Sequence, residues 1–450
     1  MSDPAERDQR TLWHPFTQMS DWMDSRPLVI ERGEGNYLID TEGRSYFDGI
    51  SSMWVNLHGH DHPRIRAAIH EQLDRLAHST LLGLSNLPGI ELAERLIELA
   101  PSGLSRVFFS DNGATAVEIA LKMAFQFWQQ QDDEVARART RFVALKDAYH
   151  GDTLGALALG GIESFHETFR PLVFDTLRAE NAHCYRCPYG LRYPDCKIHC
   201  LESLEGILER QGQEVAAVVV EPLVQAAAGM RLLPDGWLRR VRELCDQHGT
   251  LLIVDEVATG FGRTGRMFAC EHEGVSPDLM ALAKGMTAGF LPLAATLASE
   301  KIFNGFLGPV RDQRQLFHGH SYTGNALGCA AALASLDVFE EEHVLENVRE
   351  LSVHLAQRLE SLRRLPAVGD IRQRGLMVGI ELVRDHETKA PFDPGERIGA
   401  LVCMAMRKHG VILRPLGDTV VLMPPLSVQR GEIDHLIDAL AKCIAQLTGE

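Results

Sequence analysis

Short runs of almost unbroken apolar residues recur through the first two thirds of the chain: "RVFFS" (106–110), "RFVAL" (141–145), "VAAVVVEP" (215–222) and "TLLIVDEV" (250–257). A strand with one face in water alternates apolar and polar side chains. Unbroken runs need cover on both faces, which crossover helices provide in a parallel or mostly parallel sheet. Helical patterns lie between these runs, so the chain reads as α/β. The helix predicted after Gly113 carries Ala116, Ile119, Ala120, Met123 and Phe127 on one stripe. Val117, Leu121, Ala124 and Trp128 make its other side apolar too, which predicts burial all round. Near the C-terminus, Ile433, Leu436, Ile437, Leu440, Ile444 and Leu447 form a narrower stripe opposite Asp434, Asp438 and Lys442, the pattern of a helix covering a sheet. From about residue 328 the alternation lapses. The expected organisation is a large domain over 71–327 and a smaller α+β domain over 328–450, to which residues 1–70 contribute.

Composition narrows the function. Apolar residues make up 45% and charged residues 24%, as in ordinary globular proteins. A formal charge of -16 opposes nucleic-acid binding, which needs clustered Lys and Arg against the phosphate backbone. The apolar run Gly285 to Ser299 is too short to span a bilayer. Nine scattered cysteines behind a polar N-terminus suit reduced thiols, so a cytoplasmic, small-molecule enzyme without a membrane partner is expected.

Within "SPDLMALAKGMTAGFLPLAAT" (276–296) stands one lysine, Lys284. A desolvated lysine loses part of its basicity and becomes a better nucleophile toward carbonyls. Asp255 ends "LLIVD", at the sheet edge where ligands gather in open α/β folds. "SDNGATAVEIALK" (110–122) sets a glycine turn before a buried helix, so backbone N–H groups near Gly113 and Ala114 can meet a phosphate. Tyr149 in "KDAYHGDT" offers a flat ring. Each feature alone has an ordinary structural explanation: a snorkelling lysine, a capping aspartate, a plain βα turn, a loop tyrosine. Together they supply what a pyridine aldehyde phosphate needs: an amine, an anion, a phosphate cradle and a stacking partner.

Nearly end to end, the chain resembles the class III aminotransferases of the type I pyridoxal-phosphate fold, on the segments "DEVATGFGRTG", "PDLMALAKGMTAG", "EPLVQAAAGM", "HSYTGNALGCAAA" and "AYHGDT". The resemblance implies a large domain with a mostly parallel seven-stranded sheet, and pyridoxal 5'-phosphate as cofactor. It implies that Lys284 is the Schiff-base lysine, that Asp255 binds the pyridine nitrogen, and that Gly113 and Ala114 contact the phosphate. Tyr149 would line ring and substrate, Gln225 would lie near the ring hydroxyl, and Glu221 would be the family's strand-end carboxylate. His320 and Ser321 resemble residues that reach the phosphate of a partner subunit, which implies a homodimer with shared active sites; Gly319 beside them joins the substrate-binding set.

Three further segments, "LWHPFTQM" (12–19), "DGISSMWVNLHGHDHP" (48–63) and "VILRPLGDTVVLMPP" (411–425), resemble the biotin-pathway branch of the family. That resemblance implies 8-amino-7-oxononanoate as acceptor, 7,8-diaminononanoate as product and Arg414 as the residue for a substrate carboxylate. Phe16 and Met53 would also touch substrate. They stand where S-adenosylmethionine-using relatives carry tyrosine and tryptophan, which leaves lysine open as amino donor beside S-adenosylmethionine. An ω-amino acid:pyruvate aminotransferase is the alternative within the family.

Two clusters invite a metal reading. Cys184, Cys187, Cys196 and Cys200 follow a C-x2-C-x8-C-x3-C spacing, shorter between pairs than is usual for zinc. His58, His60 and His62 alternate in "HGHDHP", where Gly59 and Pro63 favour a turn. No metal is expected at either.

Overall fold

The structure is a computed structural model and describes residues 3–449. Its centre is a seven-stranded sheet in the order Leu104–Ser110, Ala294–Ser299, Leu279–Leu282, Leu251–Asp255, Val215–Val220, Arg141–Leu145, Leu177–Ala179. Only Ala294–Ser299 runs against its neighbours; the remaining pairings are parallel, as the apolar runs predicted.

The pleat divides each run between two cores. In the strand Leu251–Asp255, Leu251 and Ile253 pack with Ala116, Ala120 and Ala124 of the helix Gly113–Gln129. Leu252 and Val254 join the opposite core with Leu238, Val241 and Leu244 of the helix Trp237–Gln247. Each such side chain, withdrawn from water, contributes about 1.5–3 kcal/mol as an upper estimate. Both faces are therefore apolar by necessity.

The chain ends build the rest. Ile30–Glu34, Tyr37–Asp40 and Ser45–Asp48 form an antiparallel set that accepts Val411–Ile412 as a parallel fourth strand, with Val411 opposite Phe47. A second four-stranded sheet joins Val368–Arg374, Met377–Leu382, Thr419–Leu422 and Arg414–Leu416. The apolar stripe of the last helix, Arg430–Thr448, is buried, but it does not cover a sheet as expected. It packs mainly on the helices Ile398–Met406 and Val344–Leu359. The polar side is tied to the second of these by Asp434–His354 at 2.9 Å and an Asp438–Arg358 pair at 2.5 Å. A stripe reports burial, not the kind of partner. Among the described residues no helix is long and apolar enough to cross a membrane.

Candidate active site

Leu251–Asp255 and Leu279–Leu282 are parallel neighbours with Asp255 opposite Ala281, so their carboxyl ends open on the same edge of the sheet. Lys284 follows two residues beyond the second strand, at φ 42, and opens a single 3-10 turn, Lys284–Thr287. Both side chains line one cavity of about 510 Å³, together with Gly113, Ala114, Tyr149 and Glu221.

The charges are arranged by burial. Burial lowers the pKa of Lys284, and the nearby carboxylates of Asp255 and Glu221 oppose that shift only in part. No hydrogen bond occupies the amine among the described residues; the Trp54 ring centroid lies 5.3 Å from Nζ. Asp255 is anchored at both oxygens: the Val257 N–H donates to Oδ1 at 3.0 Å, and His150 Nδ1 lies 2.7 Å from Oδ2. Burial pushes Glu221 up to about 7, with His150 opposing and Asp255 adding to the rise. The carboxylate accepts from Ala226 N at 2.9 Å and Tyr149 N at 3.4 Å. The Tyr149 hydroxyl donates to Asp152 at 2.8 Å, and burial together with that bond raises its pKa.

At the other end of the cavity the helix Gly113–Gln129 begins with a reciprocal cap. Asn112 accepts from Thr115 N at 3.0 Å, and Asn112 N donates to Thr115 Oγ1 at 3.2 Å. The N–H groups of Gly113 and Ala114 have no acceptor among the described residues, as expected of a first helical turn. Space there is tight. A Cβ on residue 113 would sit 2.6 Å from Val257, and one on Gly151, at φ +123, would sit 2.4 Å from the Ala114 Cβ.

The remaining expected residues lie outside this cavity. Gln225 is fully buried next to it; its Nε2 donates to Lys146 O at 3.2 Å, while Oε1 is buried without a partner. Phe16, half exposed, meets Phe165 edge-on at 5.3 Å, and Phe165 in turn meets Tyr149 at 6.2 Å. Met53 is partly exposed at φ 75, one residue before the cavity-lining Trp54. His320 Nε2 lies 3.9 Å from Asp111, beside the helix start, with Gly319 and Ser321 exposed on either side. Arg414 is half-buried on the strand Arg414–Leu416, its guanidinium free of ion pairs among the described residues.

The reading of the sequence missed Trp54, His150 and Asp152, all of which line the cavity. A larger hollow of about 720 Å³ borders the second small sheet, but its arginines are already committed, Arg186 to Glu381 at 2.7 Å and Arg372 to Asp370 at 2.8 Å. The three histidines of "HGHDHP" turn to separate partners: His58 to Ser335, His60 to Asn56 and His62 to Glu342. The four clustered cysteines are free thiols, and among the described residues no three potential metal ligands converge.

The cavity fits pyridoxal phosphate on its own features. It offers a desolvated amine without a hydrogen bond, an anchored carboxylate one strand away, unpaired helix-start N–H groups where a Cβ would intrude, and an orphaned Gln225 oxygen beside it.

Comparison with known proteins agrees. The family model described as "Aminotransferase class-III" matches residues 18–444. The chain is 57% identical to adenosylmethionine-8-amino-7-oxononanoate aminotransferase of Nitratidesulfovibrio vulgaris over 98% of this chain and 81% of that one. It is 53% identical to the enzyme of the same name from Geobacter sulfurreducens, over 98% and 97%. The crystal structure of the Methanocaldococcus jannaschii protein of that name superposes with a TM-score of 0.93 at 44% identity, covering 98% of each chain. An omega transaminase from Pseudomonas jessenii in complex with PMP gives 0.94 at 31% identity, covering 100% of this chain and 99% of the other. With its lysine and aspartate on one sheet edge and a family match over nearly its whole length, the chain belongs to the class III aminotransferases.

Proposed function

We propose that this chain transfers an amino group from S-adenosylmethionine to 8-amino-7-oxononanoate, giving 7,8-diaminononanoate, in two half-reactions that share one cavity. The names and identities of the full-length relatives support the substrates. The observation that carries the chemistry is the desolvated Lys284 amine in the same cavity as the anchored Asp255. Identity to omega transaminases is lower, at 30–35%, which makes an ω-amino acid:pyruvate reaction the weaker reading.

When bound, pyridoxal phosphate supplies an aldehyde that condenses with amines and a pyridine ring that draws electrons from the attached carbon. Lys284 is the attachment point in our reading, and its lowered pKa leaves more of the amine neutral and able to accept a proton. With a donor bound, the same amine would serve as the base and acid that moves the donor's α-proton. Asp255 keeps a negative charge where the ring nitrogen belongs and so holds a proton there; His150 fixes the carboxylate's orientation. Gly113 and Ala114 N–H groups would take the phosphate, Tyr149 would face the ring, and the unpartnered Gln225 oxygen would serve the ring hydroxyl. Arg414 suits the acceptor's carboxylate through its paired donors, with Phe16 and Met53 shaping the mouth. Gly319, His320 and Ser321 serve a partner's cavity in a homodimer. An acidic, soluble-type composition supports a cytoplasmic setting without nucleic-acid or membrane partners.

Incubation of purified enzyme with 8-amino-7-oxononanoate and S-adenosylmethionine should yield 7,8-diaminononanoate by mass spectrometry. Lysine as donor is the second reading, favoured by Phe16 and Met53, which lack the hydroxyl and indole of adenosylmethionine users. Product with lysine alone would select it; no product with either donor would overturn the biotin-pathway assignment.

A further inference from the structure

Residues Ser51–Trp54 are one turn of left-handed helix, with φ values of 50, 45, 75 and 73. None is glycine. For side-chain-bearing residues this conformation costs about 1–2 kcal/mol per residue, so a run of four survives only if its surroundings dictate it. The turn ends on Trp54, which is buried, lines the active-site cavity and faces the Lys284 amine at 5.3 Å.

What dictates the turn is visible. Backbone bonds run from Trp54 N to Ile50 O at 2.8 Å and from Val55 N to Ser51 O at 3.0 Å. Two hydroxyls pin the outside: Ser51 donates to Met423 O and Ser52 to Asp48 Oδ2, each at 2.6 Å. Asp48 is fully buried. His60 Nε2 lies 3.1 Å from the same Oδ2. His60 is itself held by Asn56 at 3.0 Å, and the Asn56 carbonyl accepts from the buried Arg263 at 3.0 Å. Burial pushes Asp48 up, yet the His60 and Ser52 contacts outweigh it and leave its pKa lowered, so the carboxylate is charged. Arg263 is the other charge facing it.

We propose that Asp48 is a positioning residue for the aminotransferase reaction: through Ser52 and His60 it forces residues 51–54 left-handed and so seats the Trp54 ring over the Lys284 amine. The inference rests on Lys284 being the attachment lysine. Its consequence is water exclusion. The indole shields one side of the partly buried amine; without it, water reaches Nζ from that side as well, and the neutral amine loses part of its advantage. The other ionisable groups near Lys284 are Asp255 and Glu221, with His150 behind Asp255. None belongs to the turn, so they stay in place when it is disturbed.

The test uses the cofactor-free enzyme, with pyridoxal phosphate as probe, capture at each pH being fixed by borohydride and mapped by peptide mass spectrometry. In Asp48→Asn the pH midpoint for capture at Lys284 should rise by roughly half a unit or more. Ser52→Ala, which removes the clamp hydroxyl only, should give a smaller rise in the same direction. Ser52→Gly in the Asp48→Asn background should restore much of the native midpoint, because glycine enters the left-handed region without the Cβ penalty. A folded Asp48→Asn or Ser52→Ala enzyme with the native midpoint would overturn the proposal, even if its melting temperature fell. Absence of a tag at Lys284 in the native enzyme would instead overturn the attachment reading beneath it.

Discussion

In the proposed chemistry Lys284 works only if it is uncharged often enough, and the cavity favours this by withholding water more than by adding repulsion. Lys284→Ala should therefore abolish turnover, a loss of at least about a thousandfold, and remove the visible absorbance of the bound cofactor. Because it also deletes a poorly solvated charge, the cofactor-free variant should melt no lower than the native chain; scanning calorimetry checks this. Asp255→Asn keeps the shape but drops the charge, and should cut kcat by about 100-fold or more while its folded content by circular dichroism stays native. Both residues were legible in the sequence because a charge inside an apolar run is conspicuous. Trp54 and His150 were not. Trp54 depends on a left-handed turn pinned by Met423, which lies 372 residues from Ser51, and no glycine marks the place. His150 finds Asp255 across 105 residues, a meeting that follows from strand order rather than local pattern.

At the scale of elements, the proposed phosphate end of the cavity is a packing problem between a loop and a helix start. Gly151 at φ +123 lets the loop after Tyr149 press on Ala114, with no room for a methyl group. Gly151→Ala should destabilise the enzyme by about 1–3 kcal/mol, read by urea unfolding, and should raise the dissociation constant for pyridoxal phosphate as the helix start shifts. If the constant were unchanged, the helix start would not be the phosphate site. The same scale explains which elements could be read in advance. Strand 141–145 matches its expected limits, since the apolar run Phe142–Leu145 is bounded sharply by Arg141 and Lys146. The last helix was located, but its partners were two other helices, because amphipathicity specifies an apolar surface without naming its shape.

For the whole molecule, the site is assembled from distant parts of the chain, and its buried charges make stability depend on pH. Glu221 bears on this most directly, since its folded pKa is pushed up to about 7 from an ordinary 4.5. A carboxyl with a raised folded pKa binds its proton more tightly when folded. Its favourable contribution is complete below the unfolded value and is lost as pH rises through the folded one. The cofactor-free protein should thus lose stability between about pH 5 and pH 8 from this group, by up to about 3 kcal/mol. Lys284 acts in the opposite sense at higher pH, because its folded pKa is lowered and its penalty fades as the unfolded amine also deprotonates. The two are separated by Glu221→Gln, which can still accept the Ala226 N–H but cannot ionise. At pH 5 the variant and native chains should melt together; at pH 8 the variant should be the more stable, by less than the Glu221 term alone because the native Glu221 charge also attracts Lys284. Equal melting temperatures at both pH values would mean that Glu221 is solvated in the cofactor-free cavity, and that the sheet edge admits water until a ligand expels it.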